Sequence, residues 1–392
     1  MGALDGIKVL EAGLLVQGPQ ASATLCEWGA EVIKVELPGW GDQARWLPIS
    51  AEDPRSGFYI GCNRGKRSVT ADLRTSDGAE VFLRLAEWAD VVITNFADGT
   101  MDGWGLGYDA VKARNPRIIY AAGTTFGFDG PEAAREGADL SAQSAGGLIS
   151  TTGRDGGEPT TIGVAIADHI ASQNLVSGIL AALIARDRSG AGQKVTTSLV
   201  GSQVWAQASE YTVQLLRGSP AGRANRSHPL IPGIYGIFPT SDGWIAVVGI
   251  VASLRPKFYE VIGRPDLNEK FPEIFYWEHD KAALFPELDA AFATATTAEW
   301  CERLAAAGLR HAAVRNHAEV VGDPNAWEQG FFAKVDGPDG PVDVVCAPVR
   351  FSETPAASPA FAPELGQHTE EVLLELGYEW EDIARLQESG AI

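Results

Sequence analysis

Cysteine is scarce in this chain, methionine scarcer, and cationic side chains are well outnumbered by anionic ones. Cys26, Cys62, Cys301 and Cys346 stand far apart with no CxxC pair. That argues against a disulfide framework or a cysteine-based zinc site and fits a reducing, cytoplasmic setting. The six histidines are equally dispersed and no HExxH occurs; His311 and His317 fall in a loop-like stretch and read as surface residues, so no metal is expected. No segment approaches the roughly 18 consecutive apolar residues of a membrane helix. MGALDGIKVLEAG lacks a basic region followed by a long apolar run, so neither a membrane span nor a secretory signal is expected. Gly2 is not followed by the serine or threonine that myristoylation requires. With 31 Lys and Arg against 51 Asp and Glu, the net charge is −20. Such a chain is a poor partner for nucleic acid, whose phosphates need a basic face.

What is present is a long alternation of strand and helix patterns. The 392 residues exceed one ordinary hydrophobic core, so two domains are expected. IKVLEA (7–12), AEVIKVEL (30–37), SVTADL (68–73), DVVITNF (90–96) and RIIYAAGT (117–124) read as strands. Helical patterns lie between them, over PQASATLCEWG and SDGAEVFLRLAEWA. Short apolar strands separated by helices predict a Rossmann-like parallel sheet covered by helices, with ligands at the carboxyl ends of its strands. Those ends carry Leu15–Gln17, Glu36–Leu37, Arg74 and Asn95–Phe96. No GxGxxG follows the first strand and no GxxxxGK[ST] occurs, which speaks against a dinucleotide or P-loop site.

A helix is expected over 168–186, then a Gly-rich turn into a strand, then one long helix over roughly 201–217. GSPAGRANRSHPLIPG follows as a linker. Beyond it, 233–250 reads as two strands around a Ser-Asp-Gly turn. TTAEWCERLAAAG opens a helix with a Thr296/Glu299 capping box. The expected division is a large domain starting with 1–200, helix and linker over 201–232, a small α+β domain over 233–317, and a segment 318–392 returning to the large domain.

Two features carry chemistry. Arg64, Lys66, Arg67 and Arg74 fall within eleven residues, a local cationic cluster in an acidic chain, readable as a solvated surface or as a site for an anionic ligand. Asp168 opens an otherwise apolar helical stretch, IADHIASQNLVSGILAAL. It reads either as a helix N-cap or as a reactive carboxylate.

LDGIKVLEAG, GPQASATLCEWGAEVIKVE, NRGKRSVTADLRTSDG, ADVVITNF, GADLSAQSAGGL, GVAIAD, GILAALIARDRSGAGQKVTTSL, IPGIYGIFPTSDGWIAV and LGQHTEEVLLELG occur in this order along the chain. Together they resemble the class III CoA-transferase family, which takes in formyl-CoA transferase, carnitine CoA-transferase and α-methylacyl-CoA racemase. The resemblance implies an interlocked homodimer, with coenzyme A or acyl-CoA as substrate and no tightly bound cofactor. It places the catalytic aspartate on Asp168, which attacks an acyl-CoA thioester to give first a mixed anhydride and then an aspartyl-CoA thioester. It places CoA contacts on Val16, Gln17, Ala71, Leu73, Arg74, Asn95 and Phe96, with Arg67 and Arg45 as further phosphate contacts. Ala138 and Asp139 shape the site. His169 has no role the resemblance supplies.

Departures from the family pattern narrow the reading. Ala138 stands where the racemase has a proton-transferring histidine, so Asp168 alone would have to serve both faces of an α-carbon. SHPLIPGIYG replaces the consecutive glycines of formyl-CoA transferase, and Pro38 and Gly103 replace two of that enzyme's basic CoA contacts. The expected activity is CoA transfer between an acyl-CoA and a carboxylic acid. A racemase-like enzyme and a CoA-binding protein without turnover remain as alternatives.

Overall fold

Strands β1 (Lys8–Ala12), β2 (Glu31–Glu36), β3 (Arg67–Thr70), β4 (Val91–Thr94), β5 (Ile119–Thr124) and β6 (Gln193–Ser198) form one sheet in the computed structural model, which describes residues 1–356 and 360–392. Their order is β3-β2-β1-β4-β5-β6, and every neighbouring pair is parallel. β1 and β4 are adjacent in the sheet although two strands intervene between them in sequence. The winding therefore reverses there, the point of an open parallel sheet at whose strand carboxyl ends ligands commonly bind.

Alternation of side chains along these strands builds two cores. Leu10, Ile33, Val69, Val92 and Tyr120 face one side of the sheet. Val9, Val32, Val91, Ile93, Ile119 and Ala121 face the other. Helix α1 (Gln17–Glu27) packs on the second side with Ala21 and Leu25, and α2 (Ser76–Trp88) on the first with Val81, Phe82 and Leu85. After α3 (Asp139–Ala145), the long helix α4 (Ile166–Ser189) presses Leu175, Val176, Ile179 and Leu183 onto the second side. Full burial of side chains of this size contributes about 1.5–3 kcal/mol each, the main force holding α4 to the sheet.

The chain divides into two compact units. The first comprises Met1–Gly147, Gly163–Ala206 and Pro324–Ile392; the second comprises Leu148–Ile162 and Gln207–Asp323. Residues 148–162 fall within the 1–200 stretch by sequence. They join the second unit through backbone bonds from Ala224 N–H to Thr151 O and from Asn225 N–H to Gly153 O.

The single helix expected over 201–217 is two, α5 (Leu199–Ala206) and α6 (Ala208–Arg217), because Gln207 leaves the helical region at φ −105° and ψ 31°. In the second unit β7 (Ile234–Pro239) and β8 (Trp244–Ile250) form the expected hairpin, and β9 (His311–Ala313) adds to β8. His311 therefore lies in a strand rather than a loop. His317 begins a short helix capped reciprocally by Asn316 and Glu319. The Thr296/Glu299 capping box forms as expected. Near the C-terminus, Val372, Leu373, Ile383 and Leu386 return to the first core of the six-stranded sheet, on two helices separated by Gly377 at φ 83°. Among the described residues, no helix is long and apolar enough to cross a membrane.

Candidate active site

Asp168 is the third residue of α4, not its cap. The N-cap, Ala165, offers no side-chain bond, and the exposed N–H groups are met from a neighbouring helix. Asp139 Oδ1, at the start of α3, accepts from the N–H of Ala167 at 2.7 Å and of Asp168 at 3.3 Å. Gln143 Nε2 donates to the other Asp139 oxygen at 2.6 Å and fixes it. Asp139 thus performs the capping that the sequence also allowed for Asp168, and leaves the Asp168 carboxylate available.

The groups around that carboxylate come from the start of α1. The backbone N–H of Gln17 donates to it. Ser172 Oγ ties the two helices together by donating to the carbonyls of Gln17 at 2.7 Å and Asp168 at 2.9 Å. Burial and then the nearby charge of Asp139 push the Asp168 carboxyl up to about 7, while the Gln17 N–H pulls the other way. Besides Asp139, the described strands and helices packed against α4 bring no charge that shifts it. Tyr120 of β5 bonds the Leu106 carbonyl, Lys194 of β6 lies over Phe128, and Cys26 and Glu27 stand at the far end of α1. His169 points its Nδ1 at Gln20 Oε1, and burial lowers its pKa.

The Gln17 side chain is buried, and its Nε2 has no hydrogen-bond partner among the described residues. It lies over Gly123, where a methyl group would sit 2.5 Å from the carboxamide. Glycine near the carboxyl end of β5 therefore makes room for this side chain. A buried donor without a partner suits an oxygen atom of a ligand.

A cleft of about 330 Å³ opens beside the loop after β1, in the size range of small-ligand pockets. Its walls include Leu14, Leu37, Trp40, Trp46, Phe96 and Trp104. Phe96 and Trp104 meet edge to face at 5.2 Å, and the rings of Trp40 and Trp46 lie tilted at 52° with the same separation. Ala71, Leu73 and Arg74 also line it, with Glu36 and Asp72 among its acidic neighbours, so these three candidates and Phe96 share one cavity. Sequence pattern alone does not single out the tryptophans. The loop PGWGDQARW carries two of them close together, which was the available signal.

Other candidates sit elsewhere. Val16 is buried as the N-cap of α1. Asn95 spends both ends of its carboxamide on Leu14, accepting from its N–H and donating to its carbonyl at 2.8 Å each. It shapes the cleft rather than lining it. Ala138 is exposed and brings no ionisable group. The cationic cluster disperses once folded. Arg64 pairs with Glu27, and Lys66 with Glu11 at 2.6 Å. Arg67 is held by Glu31, by Glu371 at 3.3 Å and by Glu375 at 2.8 Å. Arg45 binds Glu36 at 2.8 Å and borders a different hollow beside Arg55 and Pro363. Only Arg74, exposed and paired with Asp72 at 2.7 Å, stands at the aromatic cleft.

Known proteins are similar to the chain as a whole. A succinyl-CoA:mesaconate CoA-transferase from Haloarcula marismortui is 34% identical over 391 residues, spanning 96% of this chain and 97% of that protein. A succinate–glutarate CoA-transferase from Agrobacterium fabrum is 34% identical over 95% of each chain. The crystal structure of a CAIB/BAIF family protein from Brucella suis superposes with a TM-score of 0.84 at 34% identity, covering 96% of this chain and 99% of that one. Residues 4–369 match the model of CoA-transferase family III, and with that match running across the sheet, the cleft and Asp168, the chain belongs to this family.

Proposed function

We propose that this protein moves CoA between an acyl-CoA thioester and a free carboxylic acid with Asp168 as the nucleophile. The observation that carries the reading is the Asp168 carboxylate itself, freed from capping by Asp139 and met by the Gln17 N–H at the start of a second helix. An Asp168 oxygen attacks the thioester carbonyl, the C–S bond breaks and CoA leaves as thiolate. The thiolate then attacks the Asp168 carbonyl of the mixed anhydride, expelling the donor acid and forming an aspartyl-CoA thioester. The acceptor carboxylate attacks the carbonyl of that thioester, the C–S bond breaks, CoA leaves as thiolate, and a second mixed anhydride forms between Asp168 and the acceptor. Attack of the thiolate on the acceptor's carbonyl restores Asp168, with no net proton change.

Partial burial supports the nucleophile role, because a carboxylate stripped of water is more reactive than a hydrated one. The Gln17 N–H and the orphaned Gln17 Nε2 are donors for the oxyanions of these steps. In this reading the aromatic cleft takes the adenine end of CoA, with Arg74 at its rim for a phosphate. The absence of an ionisable group at Ala138 favours nucleophilic over proton-transfer chemistry. The working species is an interlocked homodimer, supported by the family resemblance and by the exposed Leu215 and Leu216 on α6. Short dicarboxylic acids head the acceptor class because related proteins carry such substrates in their names.

The test is an exchange screen with succinyl-CoA and other acyl-CoA donors against mesaconate, glutarate and monocarboxylates. Hydroxylamine or borohydride trapping locates the intermediate by mass spectrometry. Adduct on Asp168, together with loss of exchange in Asp168→Ala at CoA affinity unchanged within a few-fold, is the expected result. Near-normal turnover in Asp168→Ala overturns the assignment.

A further inference from the structure

Three carboxylates and three cations lie under the loop between β1 and α1: Glu11, Glu36 and Asp42 with Lys34, Lys66 and Arg45. Glu11, Lys34 and Asp42 are fully buried, and Glu36 and Lys66 nearly so. Taking this many charges out of water is costly, and apolar side chains of similar shape often stabilise a fold as well or better. The contacts of the cluster show what it holds. Lys34 Nζ lies 2.6 Å from Glu11 Oε1 and 2.9 Å from Asp42 Oδ2, and donates to the Gly13 carbonyl at 2.9 Å. Lys66 Nζ donates to Glu11 Oε2 at 2.6 Å and to the Pro19 carbonyl at 2.8 Å. Asp42 Oδ1 accepts from the N–H of Leu15 at 2.9 Å and of Ala44 at 2.8 Å. The backbone from Gly13 to Pro19 is thus tied at both ends and at Leu15, and Gln17 sits inside the tied span.

Leu15 is the strained link. Its φ of 62° lies in the left-handed region, which leucine adopts only when its surroundings enforce it. Two residues later comes the Gln17 N–H that meets Asp168. Relaxation of Leu15 to a negative φ would redirect the chain at Val16 and swing that N–H off the carboxylate.

We propose that Asp42, backed by Lys34, is a positioning residue of the transfer reaction: it holds Leu15 in the left-handed conformation and so aims the Gln17 N–H at Asp168. This rests on the reading of Asp168 as the nucleophile. Asp42 touches no reacting atom; it acts through the loop.

The test uses the full-length protein and two variants, Asp42→Ala and the double Lys34→Met/Asp42→Leu. The double variant removes one anion and one cation and leaves Glu11 with Lys66 and Glu36 with Arg45, so each remaining buried charge keeps a partner. In both, kcat is expected to fall about tenfold or more while KM for acyl-CoA stays within about threefold. The acid limb of the rate profile moves to higher pH, because Asp168 loses a donor that favours its ionised form. Asp139 stays in place in these variants, and His169 remains turned onto Gln20, so neither reverses that direction. Adding Leu15→Gly to Asp42→Ala restores part of kcat, since glycine takes a positive φ without strain. Hydrogen–deuterium exchange over residues 14–20 reads the same tie without turnover and is expected to quicken at Gln17.

A folded double variant with unchanged kcat, acid limb and Gln17 exchange overturns the proposal. Asp168→Asn, measured alongside, separates the two readings. Retained turnover there removes the nucleophile and with it any role for Asp42 in the reaction. Lost turnover there, with Asp42 variants unchanged, removes the positioning role alone.

Discussion

Asp168→Asn is expected to make the ligand-free protein more stable, and more so as the pH rises. In the folded chain the Asp168 carboxyl is pushed up to about 7 by burial and by Asp139, against an ordinary value of 3.8. The folded state therefore keeps a proton that the unfolded chain has released, over the window between about 4 and about 7. Because the folded pKa of this acid is raised, stability falls as pH climbs through that window and stays low above it. Three pH units correspond to about 4 kcal/mol, and relaxation with water reaching a half-buried group reduces this to about 1–2 kcal/mol. Asparagine has nearly the same shape, carries no charge at any pH and can still accept from the Gln17 N–H. Urea unfolding of both proteins at pH 5 and pH 8.5 measures the difference directly. The expected outcome is a small gain at pH 5 and a larger one at pH 8.5, with exchange activity lost at both. A variant less stable than the parent at pH 8.5, or a difference that does not change with pH, would refute the account of Asp168 as a carboxylate held against its preference.

Other perturbations follow from the same geometry. The exchange rate of the parent protein should rise with pH through about 7 as Asp168 ionises; a flat profile from pH 5 to 9 would contradict this. Gly123→Ala sets a methyl against the Gln17 carboxamide and should lower kcat about tenfold or more with CoA affinity little changed. Equilibrium binding of CoA should weaken about threefold to tenfold in Trp46→Ala, through loss of a stacking wall, with an unchanged melting curve because the ring is exposed. Arg74→Ala should weaken it by less than about tenfold, since Arg74 must leave Asp72 to meet a phosphate. Lys66→Met leaves Glu11 with Lys34 as its one remaining ammonium partner and should cost about 3–5 kcal/mol in urea unfolding.

The strand and helix alternation of the first 200 residues, the hairpin after the linker and the Thr296 capping box could all be read from local pattern. These features depend on side chains near in sequence, and on the simple rule that apolar faces must be covered. The break at Gln207 was hidden because helical residues continue on both sides of it, and only the backbone path departs.

For the site, local pattern supplies the residue types: an aspartate at the start of an apolar helix, a cluster of cations, and Phe96 at the end of a strand. Tertiary structure decided what each is free to do. Asp139, 29 residues before Asp168, takes over the capping of α4. Glu11, Glu27, Glu31, Glu371 and Glu375 arrive from distant elements to engage Arg64, Lys66 and Arg67, leaving Arg74 at the cleft. The physical reason is that a charge's function depends on its nearest partner across space. In a parallel sheet, such partners come from strands and helices tens to hundreds of residues away.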